Sequence, residues 1–126
     1  MAVTHRKAGL KILVIEDDPE VRSITCSMAR ELGHTVIDAE NAEEALELLR
    51  ETPVDTLIAD IVLPGMSGEV FAARARGMQP LLSIVFATGS GAFAGFSDDG
   101  TSTVVLRKPY DSAALRPALT SVSSRR

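Results

Sequence analysis

The sequence predicts an α/β fold in which a five-stranded parallel sheet carries helices on both of its faces. Five short apolar runs have the length of strands, and most of them are separated by stretches with apolar residues at helical spacing. This alternation is typical of parallel sheets, because each crossover connection has to accommodate a helix. The first run is apolar at every position after its first residue, which indicates a central strand that is covered on both faces.

The first strand and the first helix come from the same short stretch. Residues 11–15 read KILVI and are followed by three acids in succession. Asp18 is a suitable helix N-cap, Pro19 is tolerated at the first helical position, and Gly33 is suited to the helix end. Apolar residues at helical spacing predict the buried face of this helix: Val21, Ile24, Met28 and Leu32.

The next two strands enclose the second helix. Residues 34–39 (HTVIDA) contain β-branched residues and predict the second strand. Asn41 and Glu44 have a spacing close to that of a capping box, and Pro53 ends the helix before it. Residues 56–60 (TLIAD) predict the third strand, which again ends in an acid. The apolar stripe of the second helix is formed by Ala42, Ala45, Leu46 and Leu49.

A turn over residues 63–68 leads into a third helix over residues 69–76, which Gly77 closes. Residues 82–87 (LSIVFA) predict the fourth strand. The connection that follows, residues 89–102, contains four glycines and no helical stripe. We therefore expect the helix after the fourth strand to be short or disordered.

The last two elements are a strand and a helix. Residues 103–106 (TVVL) predict the fifth strand, and Asp111 caps a helix that extends toward Ser121. Pro117 lies inside this helix, where it removes one backbone hydrogen bond and predicts a kink.

Length and composition narrow the class of protein. The 126 residues suit one domain, expected over residues 10–121, with tails at residues 1–9 and 122–126. Acids outnumber bases 17 to 13, which disfavours binding to a nucleic-acid backbone. The single cysteine, Cys26, cannot form an internal disulfide, and no apolar run is long enough to cross a membrane. We expect a cytoplasmic domain with neither a nucleic-acid nor a membrane partner.

Acidic side chains follow the first and third strands where these strands end. Glu16 and Asp17 follow the first strand, and Asp60 ends the third. If these strands are neighbours, the three carboxylates share one pocket at the carboxyl edge of the sheet, where such folds bind ligands. Because the carboxylates repel one another, the pocket favours a hard cation such as Mg²⁺, which also accepts phosphoryl oxygens. The alternative, solvated loop acids, explains three acids at two strand ends less well.

A hydroxyl and an ammonium group belong to the same edge. Thr88 follows the fourth strand, and Lys108 follows the fifth. The lysine can pair with a phosphoryl oxygen, and the threonine can donate a hydrogen bond to another. Together with the acids, these two residues predict a site that handles a phosphoryl group.

Four segments together resemble the receiver domain of two-component response regulators: KILVIEDDPEVR, IADIVLPGMSG, VFATG and LRKPY. They occur in the order of that family and cover about residues 10–121. The resemblance implies a flavodoxin-like, doubly wound sheet with the strand order 2-1-3-4-5. The sequence FATG at residues 86–89 is also similar to a subgroup of receivers.

The resemblance assigns roles to individual residues. Asp60 matches the phosphorylated aspartate, Thr88 matches the switch hydroxyl, and Lys108 matches the invariant lysine of the family. The bond between Lys108 and Pro109 resembles one that is cis in the family. Val105, three places before the lysine, stands where the family often has an aromatic residue, so the usual coupling of that residue to Thr88 is not expected.

The resemblance also implies a set of ligands for Mg²⁺. Asp17 matches the direct metal ligand, and Glu16 matches the acid that holds the metal through water. Asp60 binds the same ion in the family. Val62, two residues after Asp60, matches the position whose backbone carbonyl is a ligand.

The implied function is a phosphoacceptor switch. A histidine kinase or a histidine phosphotransfer protein would phosphorylate Asp60, and output would pass to an unidentified downstream protein, unless the domain acts as a phosphate sink. The only chemistry expected of the chain is phosphorylation and dephosphorylation of its own Asp60. Only 16 residues follow Tyr110, so no DNA-binding module is expected.

Three alternatives stay open at this point. The chain could be a receiver taken from a hybrid histidine kinase or a larger regulator. It could be a phosphatase with an aspartate nucleophile, although Asp60-Ile61-Val62 lacks the second acid that such enzymes use in general acid–base catalysis. It could also be an interaction module that is not phosphorylated, although the full set of acids, threonine and lysine speaks against this.

Overall fold

A computed structural model of the chain describes residues 9–89 and 103–123. The predicted short or disordered helix after the fourth strand falls on residues outside these ranges. The described elements follow one another in this order: β1 (Lys11–Ile15), α1 (Pro19–Glu31), β2 (Thr35–Ala39), α2 (Ala42–Glu51), β3 (Thr56–Asp60), β4 (Val62–Leu63), β5 (Met66–Ser67), α3 (Gly68–Met78), β6 (Ser83–Thr88), β7 (Thr103–Arg107) and α4 (Ser112–Ser123).

The main sheet has five parallel strands in the order β2-β1-β3-β6-β7. Since β6 and β7 are its fourth and fifth strands along the chain, this order confirms the predicted 2-1-3-4-5 topology. The sheet is accompanied by a small antiparallel pair, β4 and β5, which the sequence did not predict. Gly65 allows the tight turn between them, because its φ of 79° lies in the left-handed region that favours glycine.

The two faces of the sheet support two separate apolar cores. One core packs α2 and α3 against alternate residues of the strands, and its largest buried side chains include Phe71 and Phe86. The other packs α1 and α4 against the opposite face, with Leu115 and Leu119 buried. The sheet is thus covered on both faces, which explains the nearly continuous apolar character of β1.

The buried face of α1 agrees with the prediction in part, because Met28 and Leu32 are partly buried and pack against the core. Ile24 is 55% exposed, whereas Thr25, Cys26 and Ala29 are buried. The prediction followed apolar residues alone and missed Thr25, a polar residue whose hydroxyl finds a partner inside the fold. For α2 the prediction is confirmed, since all four residues of its stripe are buried.

The helix ends agree with the predictions in part. Asp18 caps α1, because its carboxylate accepts hydrogen bonds from the amides of Glu20 and Val21. In contrast, α3 continues beyond Gly77 to Met78. The last helix, α4, continues through Pro117 and ends two residues later than predicted. Within the described ranges, no helix has both the length and the apolar character needed to cross a membrane.

The start of α3 packs unusually closely against the end of β3. The amide of Gly68 donates a hydrogen bond of 2.9 Å to the carbonyl of Ile61. A Cβ atom at Gly68 would lie 2.8 Å from that same oxygen and 3.0 Å from the ring of Phe86. Only glycine fits here without displacement, and this contact fixes the backbone next to Asp60.

Candidate functional site

Three acidic side chains meet at the carboxyl edge of the sheet. β1 and β3 are direct neighbours, with Ile15 in register with Ala59, so the residues that follow them lie side by side. Glu16, Asp17 and Asp60 each offer a carboxylate oxygen, and these oxygens lie within 4.8 Å of one another. Glu16 is buried, Asp60 is partly buried and Asp17 is exposed. The structure therefore brings together the three acids that the sequence singled out.

Lys108 reaches into this cluster from the end of β7. Its Nζ donates hydrogen bonds to Oε1 of Glu16 at 2.8 Å and to Oδ2 of Asp60 at 2.9 Å. Burial favours the neutral amine and acts to lower the pKa of Lys108, but hydrogen bonds and charge from the two carboxylates raise that pKa overall. The ammonium group thus stays charged and offsets part of the repulsion between the acids.

Backbone amides orient two of the carboxylates. The amide of Val62 donates to Oδ1 of Asp60 at 3.0 Å, and the amide of Asp18 donates to Oε2 of Glu16 at 3.1 Å. The carboxylate of Asp17 accepts no hydrogen bond from the described residues and faces solvent. Asp17 is therefore the acid most readily available to a cation from solution.

Arg22 holds the loop that carries Glu16 and Asp17. Its Nη1 donates to the carbonyl oxygen of Glu16 at 2.8 Å, and its Nε donates to Oδ2 of Asp38 at 3.2 Å. Sequence reasoning gave this arginine no role, although it lies in the first of the four segments that carry the family resemblance. The available signal was a cation six residues after a buried acid, on the first helix after the acidic loop.

Thr88 and Val62 lie at the same edge. Thr88 ends β6 and is 5% exposed, and its carbonyl accepts a hydrogen bond of 2.8 Å from the amide of Lys108. Val62 follows Asp60 by two residues, and its side chain is exposed to solvent. The structure thus places every residue predicted for the site at one edge, while the roles assigned to Thr88 and to the Val62 carbonyl stay predictions.

The turn after β7 carries a further residue that sequence reasoning missed. The hydroxyl of Tyr110 lies 3.0 Å from Oγ1 of Thr25 on α1. Burial raises the pKa of Tyr110, so the phenol is un-ionised at neutral pH. The peptide bond between Lys108 and Pro109 is cis, as the resemblance implied.

The donor set fits a hard divalent cation. All three side chains offer oxygen, and hard cations such as Mg²⁺ and Ca²⁺ prefer oxygen ligands. Only one ammonium group contacts this cluster among the described residues, so negative charge remains in excess at the site. A cation held by these three carboxylates would balance this excess.

Comparison with known proteins agrees with this arrangement. The sequence model of the response regulator receiver domain matches residues 12–120. The chain is 37% identical over 102 residues to the response regulator receiver protein CpdR of Brucella abortus. The aligned residues cover 79% of this chain and 85% of CpdR. It is 30% identical over 124 residues to the transcriptional regulatory protein TcrA of Mycobacterium tuberculosis, of which it spans 48%.

Solved structures give the same result. The receiver domain of the hybrid histidine kinase CckA superposes with a TM-score of 0.77 at 30% identity, covering 90% of this chain and 98% of that one. The response regulator TrrA of Thermotoga maritima, solved with Mg²⁺ and BeF, superposes with a TM-score of 0.78 at 26% identity, covering 89% and 97%. The fold and the family match agree, and we conclude that the chain belongs to the response regulator receiver domain family.

Proposed function

We propose that Asp60 is the phosphoacceptor of this receiver domain, and that Mg²⁺ bound by Glu16, Asp17 and Asp60 supports its phosphorylation. The observation that carries the proposal is the position of the Lys108 ammonium group, which bridges Glu16 and Asp60 at 2.8 and 2.9 Å. A nucleophilic carboxylate, further carboxylates for a cation and a positive charge beside the nucleophile are the groups that phosphoryl transfer to aspartate needs.

The proposed reaction uses the orientation of Asp60. One of its carboxylate oxygens attacks the phosphorus of the donor, the bond to the donor's leaving group breaks, and an acyl phosphate forms on Asp60. The amide of Val62 holds Oδ1, which restricts rotation of the carboxylate during the attack. When bound, Mg²⁺ neutralises charge on the phosphoryl oxygens.

Two further residues would act on the phosphoryl group. Lys108 already lies within hydrogen-bond distance of Asp60, and we propose that its ammonium group moves from a carboxylate oxygen to a phosphoryl oxygen. Thr88, at the end of the neighbouring strand, would donate its hydroxyl to another phosphoryl oxygen. The carbonyl of Val62 would complete the coordination of the cation.

The phosphoryl donor that we propose is a histidine kinase or a histidine phosphotransfer protein. Support comes from the similarity to the receiver of the hybrid histidine kinase CckA. Output would pass to a downstream protein, and the chain would do no chemistry beyond phosphorylation and dephosphorylation of itself. We propose that this takes place in the cytoplasm, in keeping with the single cysteine, Cys26, which is buried and free.

Relatives of two kinds fit the chain. It spans most of CpdR but about half of TcrA. A receiver that acts within a larger protein therefore stays a second candidate context for the same chemistry. Membership of the FATG-containing subgroup likewise stays a prediction.

The proposal is tested by incubating the chain with a small acyl phosphate and Mg²⁺, followed by intact-protein mass spectrometry. The wild-type chain should gain the mass of one phosphoryl group, and Asp60→Asn should gain none. Glu47→Gln, an exposed acid on α2, is the matched control and should be modified like the wild type. A mass gain that survives in Asp60→Asn would show that another residue is the acceptor.

A further inference from the structure

Helix α1 contacts the segment that carries Lys108, residues 108–110, here called the lysine loop. The contact is the hydrogen bond of 3.0 Å between Oγ1 of Thr25 and the hydroxyl of Tyr110. Thr25 is only 2% exposed, and Tyr110 packs against the core between α1 and α4. Because Thr25 is shielded from water, breaking this hydrogen bond while the loop lies on α1 would cost free energy.

The lysine loop is fixed at three points. The amide of Lys108 donates to the carbonyl of Thr88 at 2.8 Å, and its Nζ reaches Glu16 and Asp60. Tyr110 supplies the third point, two residues further along the chain. The loop that carries the ammonium group is therefore held on one side by Thr88 of β6 and on the other by Thr25 of α1. The position of the ammonium group depends on both contacts.

We propose that Thr25 and Tyr110 are positioning residues, which hold the lysine loop on α1 so that the ammonium group of Lys108 stays within reach of Asp60. This inference rests on the proposed function, since it concerns the phosphorylation of Asp60. Neither residue is part of the acid cluster, so both act through Lys108. The arrangement makes α1 a support for the lysine as well as for the acidic loop, which Arg22 holds from the same helix.

A hydrogen bond and simple packing make different predictions at this contact. Thr25→Val has almost the same shape but leaves the hydroxyl of Tyr110 without this partner. Thr25→Ser loses a methyl group but keeps the hydroxyl. If the hydrogen bond orients the lysine loop, Thr25→Ser should keep the phosphorylation rate and Thr25→Val should lower it. If only packing matters, the reverse is expected.

The first experiment measures the rate of phosphorylation by a small acyl phosphate at saturating Mg²⁺. We expect Thr25→Val to react about threefold to tenfold more slowly than the wild type, the effect of losing one neutral hydrogen bond. Thr25→Ser should stay within about twofold of the wild-type rate. The double variant Thr25→Val/Tyr110→Phe removes both hydroxyls and leaves none unpaired, so it should regain stability while its rate stays low.

A double-mutant cycle tests whether the contact acts through Lys108. It uses the unfolding equilibrium in urea for the wild type, Thr25→Val, Lys108→Met and the combined variant, without any phosphodonor. In the wild-type background, Thr25→Val loses the hydrogen bond and also loosens the ion pairs of Lys108. We therefore expect its effect on the equilibrium constant of unfolding to be at least about twofold smaller when Lys108→Met is present.

The outcomes separate this inference from the proposed function. Wild-type reaction rates in Thr25→Val, together with additive effects in the cycle, would overturn the role of the contact and leave phosphorylation of Asp60 intact. Absence of any reaction in the wild type would instead refute the proposed function. The cycle would still measure the coupling between Thr25 and Lys108, because it needs no phosphorylation.

Discussion

The two edges of the sheet handle polar groups in opposite ways. At the carboxyl edge, where the parallel strands end, three carboxylates lie close together, and two of them, those of Glu16 and Asp60, contact the ammonium group of Lys108. At the amino edge, where the strands begin, neutral groups satisfy one another. The side chain of Gln79 accepts a hydrogen bond from the amide of Val54 at 3.0 Å and donates to the carbonyls of Leu49 at 2.8 Å and Thr52 at 2.9 Å.

The carboxylate of Asp55, at the same amino edge, is paired with a backbone amide. Oδ2 of Asp55 accepts a hydrogen bond of 2.8 Å from the amide of Lys11. A groove of about 470 Å³ lies at this edge, and Asp55 is the only carboxylate among the residues that line it. The groove thus contains one carboxylate, which already accepts a hydrogen bond, whereas the carboxyl edge contains a cluster of three. The difference indicates that the amino edge stabilises the fold and that the carboxyl edge is arranged for a ligand.

The largest effect on stability is expected at the amino edge. Gln79→Ala removes three hydrogen bonds and leaves buried or half-buried backbone groups unpaired, so it should lower the free energy of unfolding by about 2–4 kcal/mol. Glu51→Ala, an exposed residue at the end of α2, is the control and should change it little. Urea unfolding measures both. If Gln79→Ala also abolished Mg²⁺ binding in the folded chain, the separation of the two edges would be wrong.

Glycine substitutions in α3 should have opposite signs at its two ends. Gly68→Ala places a Cβ 2.8 Å from the backbone oxygen of Ile61, next to the site, and should cost about 1–3 kcal/mol of unfolding free energy. Gly77→Ala meets nothing within 4 Å and should stabilise the helix by about 0.5–1 kcal/mol. Thermal or urea unfolding distinguishes them. Equal effects would show that helix propensity, rather than the close contact, governs Gly68.

The excess of acids at the carboxyl edge should favour Mg²⁺ binding and lower the stability of the chain without Mg²⁺. Asp17 is the exposed acid of the cluster, and its carboxylate has no hydrogen-bond partner among the described residues. Asp17→Asn should therefore lower the affinity for Mg²⁺ at least about tenfold, or by about 1.4 kcal/mol. Without Mg²⁺ the variant should be at least as stable as the wild type, because repulsion within the cluster decreases. Calorimetric titration and unfolding test the two halves. Unchanged affinity would remove Asp17 from the ligand set.

The smallest effect expected is a dependence of stability on pH at the amino edge. Burial lowers the pKa of His34, and its Nδ1 accepts a hydrogen bond of 2.9 Å from the amide of Leu10. The unfolded chain therefore takes up a proton first as the pH falls below about 6.5, and the free energy of unfolding should decrease from there toward the lower pKa of the folded state. Urea unfolding between about pH 7.5 and 5.5 should show a smaller slope for His34→Gln. An equal slope would assign the effect to other groups.

The part of the fold that follows from local pattern could be predicted from the sequence. Apolar runs located the strands of the main sheet, and the acids at the ends of β1 and β3 located the site, because parallel strands end at one edge. The family resemblance supplied the strand order, which the structure confirms. Motif order along the chain therefore carried most of the information on the site.

The unpredicted features depend on tertiary contacts between distant residues. Thr25 is buried because Tyr110, 85 residues away, supplies a partner for its hydroxyl, and apolar periodicity contains no sign of this. Gln79 reads as an ordinary polar residue after a helix, yet its side chain joins α2 to the start of β3. Arg22 was missed for a similar reason, because its role depends on the contact that the fold creates between its Nη1 and the carbonyl oxygen of Glu16.

The strand order has a consequence for the newly made chain. Synthesis runs from the N-terminus, so β1 and β3 can pair once residue 60 is available. Lys108 arrives only with β7, which joins the sheet last in chain order and at its margin. In the order of synthesis, all three acids are therefore complete before the residue that offsets their repulsion has been added. A nascent chain at this stage should respond to the concentration of divalent cations more strongly than the finished domain.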